Sequence, residues 1–235
     1  MEALINYYTY GSQNDFWPAD LHLVGKDILW FHAVIWPAML LAIGEQLPKE
    51  IFAHGFFTIA GQKMSKTIGN VISPDDLIKK YGVDGTRYIL LAAFPFGEDG
   101  DFSWELFDRL YNADLANGLG NLISRVARLC ENNNIQASEG SKVWCADLEK
   151  FMGEFKFNEA IAVVWKLIAE ADKKINEEKP WELEGEKVKG VLEDLVKRIQ
   201  AIAFNLQPFL PQTAEKILKQ FSGKIKSQPP LFPRI

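Results

Sequence analysis

The sequence predicts an α/β unit over residues 1–102 followed by an all-helical bundle over residues 103–235. Three observations carry that expectation. Short apolar runs alternate with helical patterns through the first hundred residues, as in α/β construction. FPFGEDGDFS at 94–103, rich in Gly, Pro and Asp, breaks the pattern. Beyond it apolar residues recur at helical spacing, and no strand-like alternation is left.

Taken in order, Leu21 to Val24 reads as a short buried strand closed by Gly25 and a turn. A helix is expected over 27–43, with Asp27 favouring its positive N-terminal end and Pro37 kinking or interrupting it. A second strand covers 51–59 and ends at Gly61, where the loop GQKMSKTIGN begins. SPDD at 73–76 is a helix start, with Ser73 as N-cap, Pro74 at the first helical position and acids in the first turn. That helix carries Leu77 to Tyr81, and Asp84 reads as the cap of another running through Arg87 and Leu91. In the second unit Leu106, Leu110, Leu115, Leu119, Leu122 and Val126 repeat at helical spacing up to Asn132–Asn134. Further helices are expected over 147–153, 158–176, 186–205 and 211–221, packed as a bundle, with SQPPLFPRI at 227–235 as an extended tail.

The composition, 48% hydrophobic and 24% charged, is that of a globular chain. The longest apolar run, 33–43, contains Pro37 and is shorter than the roughly 17 to 25 residues a bilayer demands, so no membrane span is expected. MEALINYYTY lacks a basic n-region and an apolar h-region, which gives no sign of secretion. Cys130 and Cys145 form no CxxC and have no histidine spaced for a metal site; no zinc is expected, and the location reads as cytoplasmic. With a net charge of −5, any nucleic acid must meet a local basic or stacking surface.

Lys63 and Lys66, three positions apart on a Gly-flanked loop, can close over a polyphosphate, and Ser65 adds a hydroxyl donor. Both are point charges, suited to charge that grows on a leaving pyrophosphate. By spacing alone they read as solvated surface lysines, because the Walker A glycines are absent. The wording of the loop points further: KMSKTIGN resembles the KMSKS signature of class I aminoacyl-tRNA synthetases. HLVGKDILWFHAVIWPAML at 22–40, AHGFFTIAGQKMSK at 53–66, YGVDGTRYILL at 81–91 and DFSWELFDRLYNADLANGLGNLISR at 101–125 resemble the methionyl-tRNA synthetases in particular. Thr67 stands where the family signature ends in Ser, which keeps a hydroxyl.

The resemblance implies the second half of a Rossmann-type catalytic domain followed by an anticodon-binding bundle. It also implies the family's reaction, in which methionine's carboxylate attacks the α-phosphate of ATP, pyrophosphate leaves, and the tRNA 3′-terminal ribose takes the methionyl group. ATP with Mg2+, methionine and tRNA-Met are then the expected ligands. Lys63, Ser65 and Lys66 would be the catalytic clamp, with Met64 beside the nucleotide, and Gly25 and Asp27 would meet the ribose. From the residues alone Asp27 is an ordinary acid at a helix start.

Ile28, Phe31, His32 and Trp36, with Ala3 and Tyr7 opposite, match the family's methionine pocket; ring edges attract a thioether by about 0.3 to 1.5 kcal/mol. Glu2 replaces the family's Asp next to Ala3. Without the resemblance the same aromatics read as core. Asn121 and Arg125, in NLISR, and Trp181, in EKPWEL, match the anticodon-contacting positions. Their plain readings are a solvated helix face and a Trp at the end of the bundle, although a Trp after Pro180 in a polar turn is an odd core residue.

None of His22, His32 and His54 forms the His-x-Gly-His type motif of the family's first Rossmann half. The sequence therefore reads as the C-terminal half of such an enzyme, inactive in adenylation without an N-terminal half supplied in trans or present in the parent gene. Two other readings stand beside it: a stand-alone tRNA-binding module without catalysis, and a class I synthetase for another amino acid, which His32 and Trp36 disfavour. An open sheet edge and apolar face, expected from the absent half, predict self-association.

Overall fold

The computed structural model describes every residue except Met1, Lys66 and Ser141, and of Glu2 the backbone alone. The chain opens with helix α1 (Glu2–Gln13), which the sequence reading did not anticipate. Leu4 and Tyr8 on α1 meet Trp36 and Leu40 on α2 (Trp36–Ala42) in a small core completed by Trp17, Ile35 and Met39. Strand β1 (Leu21–Gly25) runs parallel to β2 (Glu50–His54), with Leu21 opposite Glu50 and Gly25 opposite His54. Between them the expected helix exists in modified form. A 3-10 turn (Lys26–Ile28) leads into a π-helical stretch (Phe31–Ile35) and then α2. The Pro37 ring crowds the carbonyl four residues back; here the helix widens before it, and the Trp36 amide donates to the Phe31 carbonyl five residues back.

The single strand expected over 51–59 is two strands in two sheets. A Cβ at position 55 would overlap the Glu98 carbonyl, so Gly55 lets the chain pass against the 94–99 loop and change partners. Beyond it β3 (Phe57–Ile59) pairs parallel with β5 (Gly100–Phe102) and antiparallel with β4 (Gln62–Lys63), in the order β4-β3-β5. The Gly- and Asp-rich break thus contains a strand that its composition hides.

Helix α3 (Pro74–Ala92) starts as expected: Ser73 Oγ accepts from the Asp76 amide at 3.1 Å. It breaks at Gly82, whose φ of 71° and ψ of 173° suit glycine, so the two helices expected here abut across a kink. The expected cap role of Asp84 is corrected by its partner. Asp84 Oδ2 accepts from the Thr213 amide at 2.6 Å, so this buried carboxylate serves the first turn of another helix, α9 (Pro211–Gln220). One turn on, Arg87 donates through Nε to the Phe209 carbonyl at 2.8 Å and through Nη2 to the Pro208 carbonyl at 2.7 Å.

The second half is helical nearly throughout. Helix α4 (Trp104–Leu110) continues through a π-helical stretch (Tyr111–Gly120) into α5 (Asn121–Asn132); then come α6 (Ala146–Gly153), α7 (Phe157–Glu178), α8 (Gly185–Leu206) and α9. Leu115, Leu119, Val126, Val164, Ile175, Leu192, Ile199 and Leu206 are fully enclosed, at helical spacing on facing elements. The same core takes in Leu77, Tyr81, Tyr88 and Ile89 of α3, so that helix packs with the bundle. The expected all-α character has one exception: β6 (Gln136–Ala137) pairs antiparallel with β7 (Gly223–Lys224), a bridge too short to leave a periodicity. The expected tail, 227–235, is extended but docked. Phe232 is buried with its ring edge-on to Tyr111 at 5.9 Å, and Asn112 exchanges hydrogen bonds with the Ile235 backbone at 3.1 and 3.2 Å. Among the described residues no helix is long and apolar enough to cross a membrane.

Two outcomes follow from this arrangement. Asp84→Ala removes the acceptor from the start of α9 and is expected to lower stability by about 1 to 2 kcal/mol, with Asp84→Asn retaining most of it; urea unfolding of both variants checks this. In the α/β half Phe16, Trp30, Leu41 and Ile43 are each more than 60% exposed, and among the described residues β2 pairs only with β1. The chain is therefore expected to bind an apolar dye and to self-associate. A dye-silent monomer by light scattering would contradict it.

Candidate active site and RNA-facing surface

The lysine loop hangs from a two-residue hairpin. Ala60 (φ 52°) and Gly61 (φ 71°) take the left-handed conformations that match the twist of β3 and β4. Two acids of β5 and the loop before it anchor this hairpin, and the sequence reading missed both. Asp101 Oδ1 accepts from the Gly61 amide at 2.8 Å and from Thr58 Oγ1 at 2.7 Å. Asp99 accepts from the Phe56 amide at 2.7 Å and from Lys26 Nζ at 2.5 Å. These donors hold both carboxyls below their ordinary range, chiefly the Lys26 ammonium for Asp99 and the Gly61 amide for Asp101. Both lie in a stretch whose acids read simply as loop residues.

Lys63 ends β4 with its ammonium 4.2 Å from the centre of the Phe56 ring, and Lys26 Nζ lies 5.0 Å from the same ring. Phe56 thus brings Lys63 to the corner that carries Gly25 and Asp27. Ser65 is half-buried; its amide donates to Asn70 Oδ1 at 2.8 Å, and its Oγ accepts from the Thr67 amide at 3.2 Å. Met64 packs against the main core and fixes the path of the loop. Lys66 lies outside the described residues. At the corner itself a Cβ on Gly25 would come within 2.7 Å of Asp27 Oδ1, so glycine lets the carboxylate fold back over the end of β1.

The aromatic residues expected in the methionine pocket separate into two groups. Tyr7 Oη and His32 Nε2 are hydrogen-bonded at 3.2 Å, and His32 Nδ1 meets the Ile28 carbonyl at 3.0 Å. The carbonyl can only accept, so Nδ1 carries a proton, and in the neutral ring Nε2 accepts from the tyrosine. Trp36 is fully buried behind them, its ring 6.2 Å from Tyr7, and donates through Nε1 to His22 Nε2 at 3.2 Å. His22 was not among the expected site residues. Its place on β1, facing the helix, becomes visible only once α1 and β1 are paired through Tyr7, whose ring is 4.7 Å away. Burial, and secondarily His32, hold the His22 pKa below its usual value. Ile28, Phe31 and Ala3 are exposed, with Ala3 one helical turn before Tyr7 on α1. Tyr7, His32 and Trp36 are therefore assembled, whereas Ile28, Phe31 and Ala3 border them without closing over them.

On the bundle, Arg125 donates through Nη1 to Asp172 Oδ1 at 2.9 Å and through Nη2 to Asn176 Oδ1 at 2.8 Å. Asp172 and Asn176 stand one turn apart on α7 and are themselves bonded at 3.2 Å. Neither was read from the sequence, where they resemble any polar face. Their fork aims the guanidinium toward Trp181, 6.0 Å from the ring centre. Lys179, with φ 44°, ends α7, the buried Pro180 starts a 3-10 turn, and Trp181 projects with 52% of its surface exposed. Asn121 is exposed one turn before Arg125, where it borders a 530 Å³ cleft shared with Asn117, Ser124, Pro230 and Arg234. Among the described residues no three His, Cys, Asp or Glu side chains gather as metal ligands.

The profile of the family described as tRNA synthetases class I (M) matches residues 2–127. The methionine–tRNA ligases of Clostridium acetobutylicum and Caldanaerobacter subterraneus subsp. tengcongensis are 43% and 40% identical over 94% of this chain. The chain spans 39% of the length of each. Among solved structures, Mycobacterium tuberculosis methionyl-tRNA synthetase in complex with methionyl-adenylate superposes with a TM-score of 0.85 at 34% identity, over 99% of this chain and 55% of that one.

Asp101 tests the hairpin anchor. Asp101→Ala is expected to speed hydrogen exchange at the Gly61 amide severalfold, with Asp101→Asn intermediate. Since the Asp101 pKa is depressed, the anchor persists at neutral pH and weakens only as pH falls through the lowered value, beneath the ordinary carboxylate range. Exchange at Gly61 unchanged by Asp101→Ala would refute the anchor.

Proposed function

Because this chain belongs to the class I (M) family of tRNA synthetases, we propose that it is the part of a methionine–tRNA ligase that carries the lysine loop, one wall of the methionine pocket and the anticodon-reading bundle. The observation that supports the anticodon reading most directly is the ready-made pair of Arg125 and Trp181. A half-exposed indole beside a guanidinium held by two α7 side chains is a stacking platform with an adjacent donor, the chemistry that reads an unstacked RNA base. Asn121, one turn away, supplies a donor and an acceptor for a base edge.

On the α/β side, residues 1–102 act as the second half of a Rossmann-type catalytic domain. Lys63 and Lys66 close on the phosphates of ATP and stabilise charge on the departing pyrophosphate, while Asp27 accepts from the ribose hydroxyls. An exposed ammonium over a ring is held by only about 0.5 to 1 kcal/mol, so the exposed Lys63 leaves the half-buried Phe56 at little cost when phosphates arrive. Mg2+ travels on the nucleotide's phosphates, as suits an ion that keeps its waters and binds few protein groups. The Tyr7–His32–Trp36 group forms the polar and aromatic wall against methionine, with the remaining contacts supplied by an N-terminal half in the parent protein or in trans.

The deciding measurement is binding of tRNA-Met transcripts with a CAU anticodon and with a changed one, at stated salt. The chain is expected to prefer CAU, and Trp181→Ala to weaken CAU binding by roughly 5- to 150-fold, the worth of one stacked base. Equal binding of both transcripts would reject recognition by this bundle. Pyrophosphate exchange restored by adding an N-terminal half then separates a ligase component from a stand-alone tRNA-binding module.

A further inference from the structure

A basic groove lies outside every residue group assigned above. Residues 207–235 carry Lys216, Lys219, Lys224, Lys226 and Arg234 against a single acid, Glu215, in a chain whose net charge is −5. The four lysines border one groove of 600 Å³ whose other wall is Gln228, Pro229, Pro230 and Leu231. All four are exposed, and among the described residues none forms an ion pair. Glu131, whose carboxyl feels the Lys226 charge, accepts from the Ser227 amide at 3.0 Å.

The backbone beneath the lysines is firmly held. Ile217, Phe221 and Ile225 are buried between them, β7 is paired to β6, and Gln220 Nε2 donates to the Lys226 carbonyl at 2.9 Å. The four lysines are thus presented from held backbone along the end of α9, on β7 and just beyond it. The groove adjoins the Asn121 cleft at Pro230, which lines both.

We propose that this groove is a second RNA contact, which takes the phosphate backbone of the same tRNA whose anticodon meets Asn121, Arg125 and Trp181; the proposal rests on the anticodon reading for the identity of the RNA. The geometry favours a linear polyanion over a compact one. Lys216 and Lys219 stand toward the C-terminal end of α9, where the helix dipole is negative and the helix's leftover groups are carbonyls, a poor cradle for a small phosphate. Lysine ammoniums without a bidentate fork provide sequence-independent charge, which suits backbone and not base.

The test measures binding of the full chain to CAU and changed-anticodon transcripts between 50 and 200 mM salt, for the unaltered protein and a Lys216→Gln, Lys219→Gln, Lys224→Gln, Lys226→Gln variant. Each lost phosphate contact is expected to reduce the slope of log K against log salt by roughly 0.7 to 0.9, so the fourfold variant should lose about 3. Both transcripts should weaken together, with their ratio kept. Single Lys224→Gln and Lys226→Gln changes, at exposed side chains outside any helix, should each remove nearly one from the slope and cover the case in which the fourfold variant misfolds.

An unchanged slope in the folded variants, with CAU preference intact, would overturn the groove and leave the anticodon reading standing. A reduced slope with no anticodon preference would do the reverse. Tripolyphosphate is the compact competitor: saturable binding that requires the lysines yet fails to displace RNA would assign the groove to free polyphosphate and overturn the proposal, as would the absence of RNA binding at 50 mM salt.

Discussion

Two side chains of α3 hold the turn between α8 and α9, and the relation of the α/β half to the bundle depends on them. Leaving α8, the Pro208 and Phe209 carbonyls accept from the Arg87 guanidinium; entering α9, the Thr213 amide donates a hydrogen bond to Asp84. The cation meets carbonyls of the turn that follows α8, and the carboxylate meets an amide left over in the first turn of α9. Because Asp84 is buried, the bond to it is costly to break: a carboxylate without its donor would remain desolvated. The kink at Gly82 makes this possible by turning the second part of α3 onto the bundle, where Tyr88 donates to Asp114 Oδ2 at 2.7 Å. Burial, then Asp114, push the Tyr88 pKa well above its ordinary value, so the phenol stays a donor at any physiological pH.

From that joint the lysine loop inherits its position. Helix α3 follows the loop, β5 follows α3, and β5 returns beside β3 to supply Asp101 to the Gly61 hairpin. The loop is therefore fixed at its hairpin by a strand some forty residues later and at Met64 by contact with the main core. Between them Lys63 sits above Phe56, and beyond Met64 the Ser65 amide donates to Asn70 within the loop itself.

Much of this was legible in the residues, and the failures share a cause. Ser73, Pro74 and the acids after them announce α3 because capping is a local interaction, and Leu115, Leu119, Leu122 and Val126 announce the bundle because helical burial repeats within one element. The strand over 51–59 misleads because its apolar run continues through Gly55 while its partner changes from β1 to β5, information that lies at residues 98–102. Asp84 has the sequence context of a cap, but its amide is 129 positions away. At the candidate site, Tyr7, His32, Trp36, Arg125 and Trp181 are singled out by the family resemblance, since by residue type alone the aromatics read as core and Arg125 as part of a solvated helix face. The residues that orient or accompany them, His22, Asp101, Asp172 and Asn176, are ordinary in sequence and acquire meaning only from what stands opposite.

The π-helical stretch at 111–120 connects these levels. A π turn takes in one more residue than an α turn, so each one alters the angular phase of every residue after it. Asn121 and Arg125 follow directly, and it is this phase that points Arg125 at Asp172 and Asn176 and leaves Asn121 facing the cleft beside Pro230. A π stretch is a poor helix by itself, and here its outer face is bound. Asn112 exchanges two hydrogen bonds with Ile235, Asn117 Oδ1 accepts from Arg234 at 2.6 and 3.0 Å, and Phe232 covers Tyr111. The docked segment 227–235 thus forms the wall of both clefts and also clasps the stretch that sets the phase of α5. Groups that would meet RNA at Asn121 and at the lysine groove are in this way held to one another through a single run of backbone.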